Sequence, residues 1–488
     1  MLERFIRGEN IEKIMIKAKP LVVKPILLYH IYERREATSW RSWGGIRTES
    51  DLREEESRIS TELKELKEKA DFPVNILPIS LVNTVQDLRK VKDIVKADVL
   101  LIYATCSLMI EERAGFTRSI TELFDEIAAT GKYILVFLRH KSGPIYFWYE
   151  TIHPMILRLN TDEYLRPEIT VDDLVVDDYN ELLWRLRSLY GVVNTIGRRI
   201  ITIGGVGGWG NFGRLYAPYL AQNFWKFEII NISYEKLKDL ISKAMKDEEY
   251  VKKAEKLAEN YLADPDVELK TDKKFVINAF LLYLVFKDLL REYDADTITV
   301  NLCLWDIIPI AKTTACLTLS VLNDEGYMAF CESDFVVIPA GILLHFISGK
   351  PVFLVDPTLP HDGFVTVAHC TAPRKMDGEH LEPAVILTHY ESDYGAAPKV
   401  EMRKGQIVSV IDPDFRGKSW IGFKGTIIDT PFYPICRSQL DLKIHGDWKL
   451  LLKEMKGFHW ILCYGDYLRE IGYALKKIGI KWLNVSEK

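Results

Sequence analysis

The chain has 488 residues, too many for one hydrophobic core, so several domains are expected. Hydrophobic residues make up 48 % and charged residues 27 %, the balance of a globular protein and not of a disordered or fibrous one. With 64 basic against 69 acidic side chains the net charge is −5, which leaves no electrostatic footprint for a nucleic-acid partner.

The opening stretch, MLERFIRGENIEKIMIKAKP, is charged throughout and holds no apolar run of signal-peptide length. The longest apolar run, Phe335 to Ile347, is too short to cross a bilayer. A cytoplasmic protein outside membranes is therefore expected. The seven cysteines (Cys106, Cys303, Cys316, Cys331, Cys370, Cys436 and Cys463) are scattered, odd in number and without a CxxC pair. That argues against a disulfide framework or a structural zinc site and for reduced, buried thiols.

Strand and helix alternate through the first third. VKPILLYHIYE reads as a strand, and the polar, aromatic loop ATSWRSWGGIR follows at its carboxyl end, where open α/β sheets place ligands. TESDLREEESRISTELKELKEKA has acids early and lysines late, as a solvent-facing helix should. FPVNILPI is a strand, TVQDLRKVKDIVK a helix and ADVLLIYA a strand. TRSITELFDEIAATG is a helix closed by Gly131, and KYILVFLR returns as a strand. Helices between short apolar strands imply a parallel sheet covered on both faces.

A second α/β unit starts near Arg198. RRIITIGG and KFEIINIS are strands around the helix NFGRLYAPYLAQNFW; a charged helical stretch, the buried helix DKKFVINAFLLYLVFKDLLREYDA and the strand DTITVNLCLW follow. CESDFVVIPAGILLHFISGKPVFLVDP reads as a buried helix beginning at Glu332 and capped by Gly349, then a strand ending at Asp356. Beyond Pro357 short strands and Gly, Pro and Asp turns indicate a β-rich region. The last segment, GFHWILCYGDYLREIGYALKKIGIKWLNV, reads as strand, helix, strand. The expected fold class is α/β: two Rossmann-like α/β domains, 1–197 and 198–356, followed by a β-rich C-terminal domain, 357–488.

Three features bear on chemistry. In GGVGGWGNFG, Gly205, Gly207 and Gly210 fit G-x-G-x-x-G between a strand and a helix, with Glu228 downstream, as in a dinucleotide site. The bulky Trp209 sits where backbone would approach pyrophosphate, and a turn that only packs or lines a cleft is the plainer reading. Glu332 and Asp356 bound the most apolar segment. Acids at element ends are usually caps or solvated, but a lone charge against such sequence is costly and a metal ion would resolve it. His369 and His459 lie on apolar strands, where a single histidine is more often a satisfied core residue than a ligand. Two carboxylates with an imidazole suit Mn²⁺, Co²⁺ or Fe²⁺, and less strictly Mg²⁺.

Four segments in this order resemble the L-fucose isomerase / L-arabinose isomerase family: TACLTLSVLNDEGYMAFCESD around Glu332, SGKPVFLVDP with Asp356, VTVAHCTAP with His369, and GFHWILCYGDY with His459. The glycine-rich turn is also similar. The likeness runs from about Arg198 onward, and the first third matches in pattern alone. The resemblance implies a ketol isomerase converting a free aldose to a ketose through an enediol. It implies a metal, usually Mn²⁺ (or Co²⁺ or Mg²⁺), held by Glu332, Asp356 and His459, with Glu332 and Asp356 also the acid–base catalysts. His369 matches a histidine that binds substrate or metal. The resemblance further implies a closed homo-oligomer, a hexamer or trimer, whose cleft is completed by a neighbour's N-terminal domain. The loop with Trp40, Trp43 and Arg47 is the candidate for that contact, Trp43 as a sugar-binding residue. L-Fucose, D-arabinose and L-arabinose all remain open as substrates. Three other readings stand beside this one. They are an NAD-dependent oxidoreductase resting on the glycines, a glycoside hydrolase using Glu332 and Asp356 without a metal, and a non-catalytic sugar-binding protein of the same fold.

Overall fold

The computed structural model describes residues 18–31, 34, 36–37, 45–105, 118–146, 153, 157–158 and 169–487. They form two compact units, Lys19–Val193 and the stretch from Asn194 onward.

The first unit is built on β1 (Leu21–Leu28), β2 (Val74–Ile76), β3 (Ser80–Val82), β4 (Val99–Ala104), β5 (Tyr133–Leu138) and β6 (Leu174–Val176). Every pairing is parallel, in the order β2-β1-β4-β5-β6 with β3 also on β1. β4 is buried at all its positions, as expected of a sheet covered on both faces. Helix α1 (Glu49–Lys69) shows why the charged segment folds as it does. Thr48 and Asp51 form a capping box, and lysines occupy the last turn. Leu52, Glu55, Ile59, Leu63 and Leu66 make a buried stripe at three- and four-residue spacing. The one acid in that stripe, Glu55, is paired with Arg139, itself fully buried just beyond β5 and also bound to Glu62.

The second unit begins with β7 (Arg199–Ile203), β8 (Glu228–Ile232), β10 (Thr297–Val300) and β11 (Met328–Cys331), all parallel, in the order β11-β10-β7-β8. The strand order reverses between β7 and β10, the place where such sheets leave a crevice at their carboxyl ends. The strand DTITVNLCLW stops at Val300. Asn301 gives its N–H to Ile203 O and its side-chain amide to Gly204 O, Leu302 turns left-handed at φ 48°, and Cys303–Ile307 coil as a π-turn.

The expected helix from Glu332 also starts later. Glu332 (φ 63°) and Ser333 (φ 44°) are both left-handed, and the helix α2 spans only Ile338–Ser348. Its end is as the sequence suggested, with Gly349 at φ 66° and every side chain buried.

β12 (Phe353–Pro357), β13 (Phe364–His369), β16 (Ile407–Pro413), β17 (Ser419–Asp429), β18 (Ser438–His445) and β19 (Trp460–Tyr464) follow one another as β16-β19-β12-β13-β18-β17. An antiparallel β16–β17 pairing closes them into a barrel, with β20 (Lys481–Asn484) parallel on β17. β9 (Val267–Leu269), β14 (Ala384–His389) and β15 (Tyr394–Val400) form a small separate sheet.

The expected boundary at 356/357 therefore falls inside a barrel strand. One apolar core takes in Ile201 and Ile298 of the parallel sheet with Val355, Leu442 and Trp460 of the barrel. Sequence patterning sees the switch from helices to strands but not the shared core beneath it. No single helix among the described residues is long and apolar enough to cross a membrane.

Candidate metal centre

Glu332 sits in the loop that leaves β11 at the carboxyl edge of the parallel sheet. The glycine-rich loop after β7 holds it there. Gly207 donates its N–H to Ser333 O (3.1 Å) and accepts from the Phe335 N–H (3.3 Å). A Cβ on Gly207 would lie 3.2 Å from that Ser333 oxygen, a tight contact that would ask the two backbones to part slightly. Trp209 of the same loop stacks on Phe458, rings 4.0 Å apart and 18° from parallel, beside His459.

The remaining side chains come from the barrel. Asp356 lies near the end of β12, between β13 and β19. His369 is the last residue of β13, and His459 immediately precedes β19. His459 Nε2 lies 3.3 Å from Glu332 Oε2 and 3.1 Å from Asp356 Oδ1. His369 Nε2 lies 3.7 Å from Glu332 Oε1, and its Nδ1 is bonded to Thr371 Oγ1 at 3.1 Å. The imidazole of His459 donates from Nδ1 to Asp334 Oδ2 at 2.7 Å. Asp334 and His459 are both buried, their side chains 2 % and 1 % exposed. A charge pair so enclosed costs about 3–5 kcal/mol when one partner is removed.

These groups perturb one another. The surrounding protein partly desolvates Glu332, which opposes its charge, but His369 and His459 outweigh that and hold the carboxyl well below the usual range. Burial likewise opposes protonation of His369, which Glu332 and Asp356 nevertheless push up to about 9. His459, against the same burial, is driven well above its ordinary value by Asp334, Asp356 and Glu332. Without a metal, protonated imidazoles balance the carboxylates.

The donor set fits a cation on its own chemistry. Asp356 Oδ1 is buried and has no hydrogen-bond partner: His459 Nε2 is near it but off the line a hydrogen bond requires. Donor atoms of Asp356, His369 and His459 lie within 4.8 Å of one another, as do those of Cys331, Glu332 and His369. A cation accepted on Nε2 of His459 would leave the Nδ1–H on Asp334, the carboxylate–histidine arrangement that fixes tautomer and orientation at metal sites.

Comparison with known proteins adds nothing to the geometry. No family model matches the chain, and no curated protein does.

Of the residues singled out in the sequence, Glu332, Asp356, His369 and His459 come together at one place. Trp40 and Trp43 lie outside the described residues. Arg47 is described: its backbone N–H donates to Asp51 ahead of α1 in the first unit. The dinucleotide reading loses its acid, because Glu228 opens β8 opposite Arg199. That is the amino edge of the sheet, away from the glycines, and there it pairs with Arg199 at 2.9 Å. Sequence reading passed over Asp334, although C-E-S-D puts a second acid two residues after Glu332. It also passed over His389, whose approach to Cys370 and Cys436 has no local signature.

Proposed function

We propose that the chain is a metal-dependent aldose–ketose isomerase of the L-fucose isomerase / L-arabinose isomerase kind, acting on a free monosaccharide. The observation that carries the reading is the convergence of Glu332 and Asp356 on one nitrogen of His459, with a buried, unbonded oxygen of Asp356 facing it. Glu332, Asp356 and His459 would hold Mn²⁺, or Co²⁺ or Mg²⁺, with His369 at the edge of the set. A divalent cation there supplies Lewis-acid stabilisation of the charge that develops on the sugar's C1 and C2 oxygens.

The chain's own groups do the rest. Isomerisation moves a proton between C2 and C1, and a carboxylate beside those carbons takes it up and returns it. The side chains of Glu332 and Asp356 are 43 % and 27 % exposed, whereas His459 is 1 % exposed. The two acids can therefore meet a substrate while the imidazole cannot. Asp334 keeps the His459 ring in place, and His369 supplies an N–H next to Glu332 that can orient a sugar oxygen. The stack of Trp209 on Phe458 offers an apolar wall of the kind sugar rings pack on.

Mn²⁺ binding to the chelator-stripped protein, wild type beside Glu332→Gln, tests the reading, followed by a screen of aldoses. Binding by the wild type that weakens in the variant, with isomerisation lost, is expected. No binding by either protein, or a variant turning over at the parent rate, would overturn it. The same reading implies a homo-oligomer, and a monomer at sedimentation equilibrium would count against that part.

A further inference from the structure

A second group of ligands lies beside this centre, and isomerase chemistry has no use for it. Cys370 follows His369 at the end of β13, His389 closes β14, and Cys436 lies in the turn before β18. Their sulfurs and a ring nitrogen of His389 all lie within 4.8 Å of one another. Cys370 and His389 are buried, and Cys436 is half-buried, which leaves one side of the group open. The turn is anchored where the group needs it. Arg437 donates from Nε to Thr388 O (2.6 Å), tying Cys436 to the strand that carries His389, and the backbone N–H of Arg437 points at Cys370 Sγ (3.4 Å). That single N–H favours charge on the Cys370 sulfur, but hydrogen bonds among neighbouring thiols, together with burial, hold both Cys370 and Cys436 well above the ordinary thiol range, so without an ion they are protonated.

The second observation is independent of the cysteines. Four histidines are buried: His345, His369, His389 and His459. Nδ1 of His345 is bonded to Lys350 O, that of His369 to Thr371 and that of His459 to Asp334. Nδ1 of His389 is buried and has no hydrogen-bond partner. Leaving such a nitrogen unpaired costs about 1–3 kcal/mol.

We propose that Cys370, His389 and Cys436 form a second cation site, selective for a thiophilic divalent ion of the Zn²⁺ or Cd²⁺ class. Two thiolates and an imidazole are a three-ligand zinc set with one position left open. Binding would release the two thiol protons, and the two thiolates match the charge of the ion. Asp356 borders both places: its Oδ1 faces His459, and its Oδ2 lies 4.0 Å from Cys436 Sγ. The site nevertheless stands on its own ligands, whether or not the chain is an isomerase.

Co²⁺ added to the reduced, chelator-stripped full chain is the probe, because thiolate ligation gives an intense charge-transfer absorption that oxygen and nitrogen ligands do not. The wild type should develop that band, and added Zn²⁺ should abolish it. Glu332→Gln should keep it, Cys436→Ser should lose it, and His389→Ala should need at least tenfold more Co²⁺. Cys436→Ala, which keeps the packing without a hydroxyl, serves if the serine variant fails to fold. No band in the wild type, or a band unchanged in a folded Cys436 variant, would overturn the proposal. So would a band lost with Glu332→Gln, which would assign the sulfur to Cys331 instead. Mn²⁺ binding and turnover report on the other centre, so the two readings fail separately.

Discussion

Asp334→Asn removes one charge and changes no volume. The asparagine can still accept the Val336 N–H at its Oδ1 position, as Asp334 does at 3.0 Å, so the turn after Glu332 is kept. What changes is the 2.7 Å contact to His459 Nδ1. An amide NH₂ facing Nδ1 favours the tautomer with the proton on Nε2, the nitrogen that faces Glu332 and Asp356, and a protonated Nε2 cannot ligate. Loss of such an outer carboxylate typically weakens metal affinity by about 10–100-fold, or about 1.4–2.8 kcal/mol. Full burial of both partners puts the expectation at the upper end. The assay is titration of Mn²⁺ into chelator-stripped protein, followed by the electron paramagnetic resonance of the free ion, with urea unfolding as the check on the fold. A folded Asp334→Asn protein that binds Mn²⁺ as tightly as the wild type would refute the assignment of Nε2 as a ligand and of Asp334 as the group that positions it.

Ser333→Gly should stabilise the protein by up to about 1 kcal/mol, seen as a higher urea midpoint. It relieves a left-handed residue and deletes a buried, unbonded hydroxyl. A lower midpoint would show that the turn is unstrained. Gly208→Ala should cost about 1–3 kcal/mol and alter Trp209 fluorescence, because its Cβ would sit 2.4 Å from the Gly213 carbonyl carbon, which as backbone cannot swing aside. Unchanged fluorescence and stability would show the loop to be slack. His345 is buried on α2 and lowered from 6.5 to about 4 by burial, with Arg198 adding to it, so the unfolded chain takes up its proton first as pH falls. Its stabilisation is whole above pH 6.5 and is lost progressively towards pH 4. At about 1.4 kcal/mol per unit this amounts to about 2 kcal/mol by pH 5. His345→Gln should flatten that dependence in urea midpoints measured at pH 7 and 5, and parallel slopes for the two proteins would reject it. Mn²⁺ at about a hundred times its dissociation constant should add about 2.7 kcal/mol to unfolding, and excess chelator should remove the gain; a melting temperature indifferent to both would argue against a folded-state site.

Where local chemistry decides the structure, the sequence was legible. The acids and lysines of α1, the glycine after α2 and the strand that carries Asp356 near its end all follow from short-range preferences, and the structure has each, with β12 running on to Pro357. Glu332 stood out in the sequence as an acid against an apolar segment, but the structure puts it in a left-handed turn and not at the start of the helix. The turn is held by a bridge between Asp334 and Gly207, in the loop that follows another strand of the sheet, which no window around Glu332 contains. Asp334 escaped notice because its partner, His459, lies far along the chain, just ahead of the barrel strand β19. The division at 356/357 failed similarly: β12 joins the barrel through β19 and β13, and its role becomes visible only once those strands are paired.

The closure of the barrel also has a consequence for timing. Phe353 on β12 pairs with Leu462 on β19, so Asp356 and His459 approach only after the intervening strands have found their places. Contacts this distant form late. A chain emerging from the ribosome as far as β18 already carries Glu332, Asp356 and His369, yet it lacks the imidazole on which the two carboxylates converge. Such a nascent chain lacks the His459 nitrogen of the proposed first centre, so an ion held there by all three side chains would have to wait until β19 has paired, whereas Cys370, His389 and Cys436 are already present.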